Sequence, residues 1–374
     1  MFSFVSASVS PDGMLFAVWA VALWLGVLVH PARPWALRPV AEDEEEPPEP
    51  VAWPTVLAII PARNEAEYLP QTVPALLGQS YRGRLEVVVV DDRSEDGTAD
   101  AAQGLGVRVL AGAALPDGWV GKVWALEQGS RAAALDSEYL LLTDADIVHS
   151  PRSLGRLVAE AEGDRLALVS RMARLRCRSP AERLLVPPFL YFFNLIYPMR
   201  RANAGRRPAA AGGCILVRRD ALERAGGLAS IRSEVIDDLN LARRVATAGG
   251  RLRLALSRED VVSLREHASL GSIWTMVART AFAELRGSWG RLAVVLALLG
   301  LMFPLPPLLV ALTPFAPAAG ALGLAAWAAM TATFLPSTRF FGLSPVWALA
   351  LPVAGVLYGA MTLSSALASR RLGP

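Results

Sequence analysis

The chain has 374 residues and a formal net charge of only +3, with 53% hydrophobic and 19% charged residues. That balance, with a positive mean hydropathy, is too apolar for an ordinary soluble protein and points to membrane segments beside about two domains' worth of chain. No footprint of interleaved Lys/Arg and aromatic residues is present, which argues against nucleic acid as a partner. The two cysteines, Cys177 and Cys214, make neither a disulfide framework nor a zinc cluster and suit a reducing compartment.

Residues 14–29 are uncharged and just long enough to span a bilayer, with no positive segment before them and no clear cleavage site after. They read as an anchor (residues 1–30). Arg33 and Arg38 follow it and no Lys or Arg precedes it, so the positive-inside bias puts the next domain in the cytoplasm. Residues 41–50 form an acidic run broken by proline, which reads as a linker (31–54).

From Val56 to about Arg265, short β-branched runs alternate with helical stretches, the pattern of an α/β fold with a mostly parallel sheet. Strands are expected at 56–60, 86–90, 107–110, 139–143, 166–170, 214–217 and 252–256, and helices at 64–78, 98–104, 122–135, 152–162, 219–225 and 237–248. Pro70 and Pro74 should kink or split the first helix. Residues 183–207 join an aromatic-rich apolar run to Arg200, Arg201, Arg206 and Arg207. Two readings stand side by side: a buried helix with a solvated basic loop, or a segment lying on the cytoplasmic leaflet. After Trp289 the chain is apolar again near 292–313, 316–335 and 344–367, and Pro304, Pro306 and Pro307 break the first stretch. Two spans with a re-entrant segment keep Arg370 and Arg371 inside, whereas three put them outside.

Acids recur where strands should end or helices begin. Glu65 follows the first strand, Asp91 and Asp92 the second, Asp144 and Asp146 the fourth, and Asp237 and Asp238 open a late helix. Asp144 and Asp146 are two apart, so on an extended backbone they point the same way and can hold a hard divalent cation. The plain alternative is a turn.

The ordered stretches Ile-Ile-Pro-Ala-Arg-Asn-Glu (59–65), Val-Val-Asp-Asp-Arg-Ser-Glu-Asp-Gly-Thr (89–98), Gly-Lys-Val-Trp-Ala-Leu (121–126), Thr-Asp-Ala-Asp (143–146), Gly-Gly-Cys-Ile-Leu-Val (212–217) and Ile-Asp-Asp-Leu-Asn-Leu-Ala (236–242) resemble the motifs of family 2 glycosyltransferases. With the flanking membrane segments, the chain is most similar to the hopene-associated members. The resemblance implies a GT-A (nucleotide-diphospho-sugar transferase) domain over 55–290, C-terminal membrane segments over 291–374, and a multi-pass protein of the inner membrane. It implies inverting transfer of one sugar from a nucleotide-sugar donor to a lipid acceptor, a hopanoid, with Mg²⁺ or Mn²⁺.

On this resemblance Pro61, Glu65, Asp91 and Asp92 approach the nucleotide, Lys122 and Asp144 the donor phosphates, and Asp144 and Asp146 the metal, with Asp146 the direct ligand. Asp238 becomes the general base, with Asp237 the alternative. Residue-level alternatives remain: an Asx turn for Asp92, a solvated Lys122, a dipole-favoured helix start for Asp237 and Asp238, a strand-entry turn for Gly212 and Gly213, and a plain loop position for His267 beside the reading of it as a further metal ligand. The Gln-x-x-Arg-Trp motif of processive members is absent from residues 274–289. That disfavours the alternative of a processive polysaccharide synthase.

Overall fold

The computed structural model describes residues 11–37, 48–132 and 137–371. The chain divides into two compact units: Arg38–Arg176 with Met199–Glu266, and Met1–Leu37 with Cys177–Pro198 and His267–Pro374. Most of the acidic run expected to be a linker lies outside the described residues.

The first unit is an α/β layer structure. Its strands are β1 (Val56–Ala62), β2 (Leu85–Asp91), β3 (Arg108–Ala111), β4 (Tyr139–Thr143), β5 (Ile147–His149), β6 (Leu168–Met172), β7 (Cys214–Arg218), β8 (Leu252–Leu256) and β9 (Val261–Ser263). Seven form one sheet in the order β3-β2-β1-β4-β7-β6-β8. All neighbours run parallel except at β7, which is antiparallel to both β4 and β6. Both faces are covered, which is why the strands are continuous apolar runs. Along β1, Val56, Ala58 and Ile60 enter one core while Leu57 and Ile59 enter the other, the two-residue alternation of a pleated strand.

The seven expected strands are all present. The short ribbon pairing β5 with β9 was not foreseen, since three-residue strands carry too little periodicity to register. The first helix occupies only Leu69–Leu77, with Pro70 in its first turn and Pro74 inside. Asn64 takes a left-handed backbone, φ 56°, so the chain turns before the helix begins. Residues 48–54, assigned to the linker, are not free: Trp53 stacks edge-on against Tyr81 at 5.4 Å, whose hydroxyl donates to the Pro54 carbonyl.

The strand order sets the position of any ligand. Connections leave β1 toward β2 and β3 in one direction, while β4 lies on its other side. The carboxyl ends of β1 and β4 therefore flank a switch point, where ligands of open α/β sheets bind. Because β7 is antiparallel, its entry residues Gly212 and Gly213 reach the same edge.

The second unit is helical and apolar. Three helices are long and apolar enough to cross a membrane, by length and composition: Trp289–Ala311, Pro317–Phe340 and Pro345–Arg370. The first is interrupted at Phe303 and Pro304, where Trp289–Met302 gives way to Leu305–Ala311, as the proline cluster suggested. Gly13–Val29 is a shorter apolar helix. Its Ala17, Ala20 and Trp24 are buried while Phe16, Trp19 and Leu25 are exposed, so one stripe packs on protein and other apolar side chains remain exposed.

The helix Pro180–Ile196 groups with this unit, not with the α/β unit to which the 55–290 boundary assigned it. Ser179 and Glu182 cap its start reciprocally. Its aromatic face is internal: Tyr191 hydrogen-bonds Thr333 at 2.8 Å and Phe192 stacks on Tyr358 at 4.8 Å. Residues 267–290 group with it as well, because their helices bury Ile273, Val277 and Phe282 among apolar side chains. Arg200, Arg201, Arg206 and Arg207 belong to the α/β unit and are exposed.

Candidate active site

At the carboxyl edge of the sheet a small pocket is lined by Pro61, Lys122, Thr143, Asp144, Gly212 and Asp237, with Leu126, Leu142, Ile215, Leu228 and Leu241 as its apolar residues. Lys122 is the second residue of the helix Gly121–Ala132. Its ammonium lies 2.7 Å from Oδ1 of Asp144 and 3.4 Å from Oδ2 of Asp237. Burial alone would lower its pKa, but Asp144 and Asp237 outweigh that and raise it, so it is a fixed cation. Gly121 lets this helix start close to the β2 loop: a Cβ there would sit 3.0 Å from Oδ2 of Asp92.

Asp237 and Asp238 open the helix Asp237–Thr247. The amide of Gly212 donates to Oδ2 of Asp238 at 2.8 Å, and the Leu239 amide donates to Oδ1 at 2.8 Å. Burial, then repulsion from Asp237, push the Asp238 carboxyl up to about 7, against the pull of Lys122 and the two amides. A Cβ on Gly212 would lie 3.1 Å from the Lys122 ammonium and 3.4 Å from Oδ2 of Asp238, which is the close approach that glycine permits here.

Around the β1 and β2 loops, Glu65 is held through its backbone by Thr98, and its Oε1 accepts from Arg265 at 2.5 Å. Its Oε2 is buried without a hydrogen-bond partner. Burial raises its carboxyl pKa, Arg265 lowers it, and Asp146 and Asp144 raise it further. Asp91 accepts from the Ser94 amide, and Asp92 is flanked by Arg93 and Arg63 at 3.4 and 3.8 Å. The Asx-turn alternative fits the Asp91 contact better than Asp92, whose side chain is paired with guanidinium groups.

Asp144 and Asp146 do not lie on an extended backbone. They bracket a turn between β4 and β5, closed by the Ile147 amide donating to the Asp144 carbonyl at 3.2 Å. Their side chains accordingly take different partners: Asp144 meets Lys122, while Asp146 accepts from the Ser263 hydroxyl and lies 3.5 Å from Arg265. Among the described residues no three His, Cys, Asp or Glu side chains converge as a complete metal site. The groups present still suit Mg²⁺ or Mn²⁺: the donor set is all oxygen, Glu65 Oε2 is unsatisfied, and such ions are commonly held by one or two carboxylates plus substrate phosphates.

Arg265 and Ser263 escaped the sequence reading. Arg265 follows a strand too short to recognise, and no motif marks it. The backbone amide of His267 donates to Glu182 at 3.0 Å, and the residue groups with the apolar unit.

Residues 57–226 match the model of glycosyl transferase family 2. It is 38% identical over 95 residues to the 4,4'-diaponeurosporenoate glycosyltransferase of Staphylococcus haemolyticus, covering 25% of this chain and 24% of that protein. It is 36% identical over 126 residues to the undecaprenyl-phosphate mannosyltransferase of Micrococcus luteus, covering 31% of this chain and 48% of that one. The chain thus spans about a quarter and about half of the length of these relatives. The solved mannosyltransferase PcManGT of Pyrobaculum calidifontis, in complex with GDP-Man and Mn²⁺, superposes with a TM-score of 0.56 at 22% identity, over 95% of this chain and 98% of that one. The GT-A fold expected from the motifs is therefore present.

Proposed function

We propose that the protein is a membrane-bound, inverting glycosyltransferase that moves one sugar from a nucleotide-sugar donor to a lipid acceptor with the help of a divalent cation. The observation that carries this reading is Asp238. It is a carboxylate whose pKa stands near neutrality, oriented by two backbone amides beside a fixed cation that also touches Asp144 and Asp237.

In this scheme Asp238 takes the proton of the acceptor hydroxyl as the oxygen attacks the anomeric carbon, and the bond to the diphosphate breaks on the opposite face. Lys122 offsets charge on the departing nucleoside diphosphate, while Pro61, Glu65, Asp91 and Asp92 line the nucleotide side. Asp144 and Asp146, with Glu65 near them, would hold Mg²⁺ or Mn²⁺ together with donor phosphates, and the ion when bound would supply Lewis-acid neutralisation of the leaving group. Asp237 keeps Lys122 in place and raises the proton affinity of its neighbour.

The three helices of membrane-crossing length support a lipid acceptor, and the overall similarity to hopene-associated members points to a hopanoid. A curated relative is named for undecaprenyl phosphate, which favours the same broad class. The positive-inside bias of Arg33 and Arg38 supports a cleft on the cytoplasmic side of the inner membrane.

The test is transfer from a panel of nucleotide sugars to hopanoid and polyprenyl-phosphate acceptors in membranes holding the full chain. Wild type should add one sugar with inverted anomeric configuration, and Asp238→Asn should lose about two to four orders of magnitude in kcat while still binding donor. Undiminished transfer by that variant, retention of configuration, or long polymeric products would each overturn part of the reading.

A further inference from the structure

The cleft is backed by a buried polar chain that the catalytic scheme does not use. His149, Ser153 and Thr143 are each at most 2% exposed. The Thr143 hydroxyl lies 3.0 Å from the Gly213 carbonyl, which only accepts, so the hydroxyl donates to it. The same oxygen lies 2.9 Å from Nε2 of His149, and having spent its proton it accepts there. His149 is therefore protonated on Nε2, and its Nδ1, 3.2 Å from the Ser153 hydroxyl, accepts in turn. Burial keeps this imidazole neutral, holding its pKa down at about 4 against the opposing effect of Asp260.

Gly213 is joined to Gly212, whose amide is one of the two donors to Asp238. Ser170 holds the flanks of this loop, bonding Ala211 and the Cys214 carbonyl. The two glycines between them have no side chains of their own to fix them. The Gly213 carbonyl accepts from the Asp144 amide at 3.4 Å and, more closely, from the Thr143 hydroxyl at 3.0 Å, its one side-chain donor among the described residues.

We infer that Thr143, backed by neutral His149, is a positioning residue that holds the Gly212–Gly213 peptide so that the Gly212 amide stays aimed at Asp238. The role is indirect: Thr143 orients the donor that favours the ionised carboxylate, and Val at this position removes the shorter of the two hydrogen bonds on the Gly213 carbonyl while nearly keeping the shape. The other charged groups facing Asp238 are Asp237 on its own helix and Lys122 from the helix Gly121–Ala132, with Asp144 beyond Lys122. None of them is changed by the substitution.

The inference rests on Asp238 being the base, so the test separates the two. Infrared titration of the full chain in membranes follows the protonated-carboxyl band assigned to Asp238 by its loss in Asp238→Asn. In Thr143→Val the midpoint should rise by about half a unit to one unit; in Thr143→Ser, which keeps the hydroxyl, it should not move. Thr143→Ala gives the same reading if the valine variant fails to accumulate. An unmoved midpoint in the variants lacking the hydroxyl, or an equal shift in Thr143→Ser, overturns the positioning role. Full transfer activity in Asp238→Asn with the shift still present overturns the base assignment and leaves the positioning role standing.

Discussion

The ammonium of Lys122 sits 2.7 Å from the carboxylate of Asp144 and also reaches Asp237 at 3.4 Å. One side chain thus ties the end of β4 to the start of the helix that carries the proposed base. Both partners are about one-third exposed in the Lys122–Asp144 pair, so an incoming diphosphate can compete for the lysine and a cation for the aspartate.

Lys122→Met should therefore damage two steps. Donor binding should weaken by about tenfold or more, the scale of one lost charge-assisted contact. Removing the cation that favours ionised Asp238 should also move the acid limb of kcat/KM upward. Isothermal calorimetry with donor and a pH–rate profile check the two parts separately.

The pH dependence has opposite signs for activity and stability. The Asp238 carboxyl is raised from 3.8 to about 7, so the folded protein binds this proton more readily than the unfolded chain does. Its contribution to stability should fall as pH rises from about 4 to about 7. The base must be ionised to act, so kcat/KM should climb through about pH 7. Melting curves and rates over the same pH range should run in opposite directions.

Gly212→Ala places a methyl 3.1 Å from the Lys122 ammonium and 3.4 Å from Asp238. Either the lysine or the loop must shift by a few tenths of an ångström. We expect a loss of roughly tenfold to a hundredfold in kcat/KM with little change in melting temperature, because the clash involves a partly exposed, flexible side chain.

Chelation should abolish transfer, and Mn²⁺ or Mg²⁺ should restore it. Asp144→Asn should weaken Mn²⁺ binding in the presence of nucleoside diphosphate, measured by electron paramagnetic resonance. Asp146→Asn should also lower stability, since Asp146 is buried and shares Arg265 with Glu65.

Much of the α/β unit is written locally. Runs such as Glu86–Val90 and Tyr139–Thr143 are strands because β-branched and aliphatic residues recur without helical spacing, and the acids appear where each run stops. The meaning of Asp144-x-Asp146 was less legible. Periodicity says that alternate residues share a side only while the strand lasts, and it ends at Thr143; the turn that follows sends the two carboxylates to Lys122 and to Arg265. The grouping of Pro180–Ile196 was equally hidden, since an aromatic helix has the same composition whether it packs among apolar helices or under a sheet.

By itself, the sequence determined the kinds of element, the apolar helices and the order of acids along the chain, because those depend on neighbours within a few positions. Only the tertiary structure decided which acids share a cleft. That depends on β4 lying beside β1 and on β7 running antiparallel, so that Gly212, Lys122, Asp144 and Asp238, separated by up to 116 positions, meet at one edge. Strand order is fixed by burial of both sheet faces at once, a condition no short window of sequence contains.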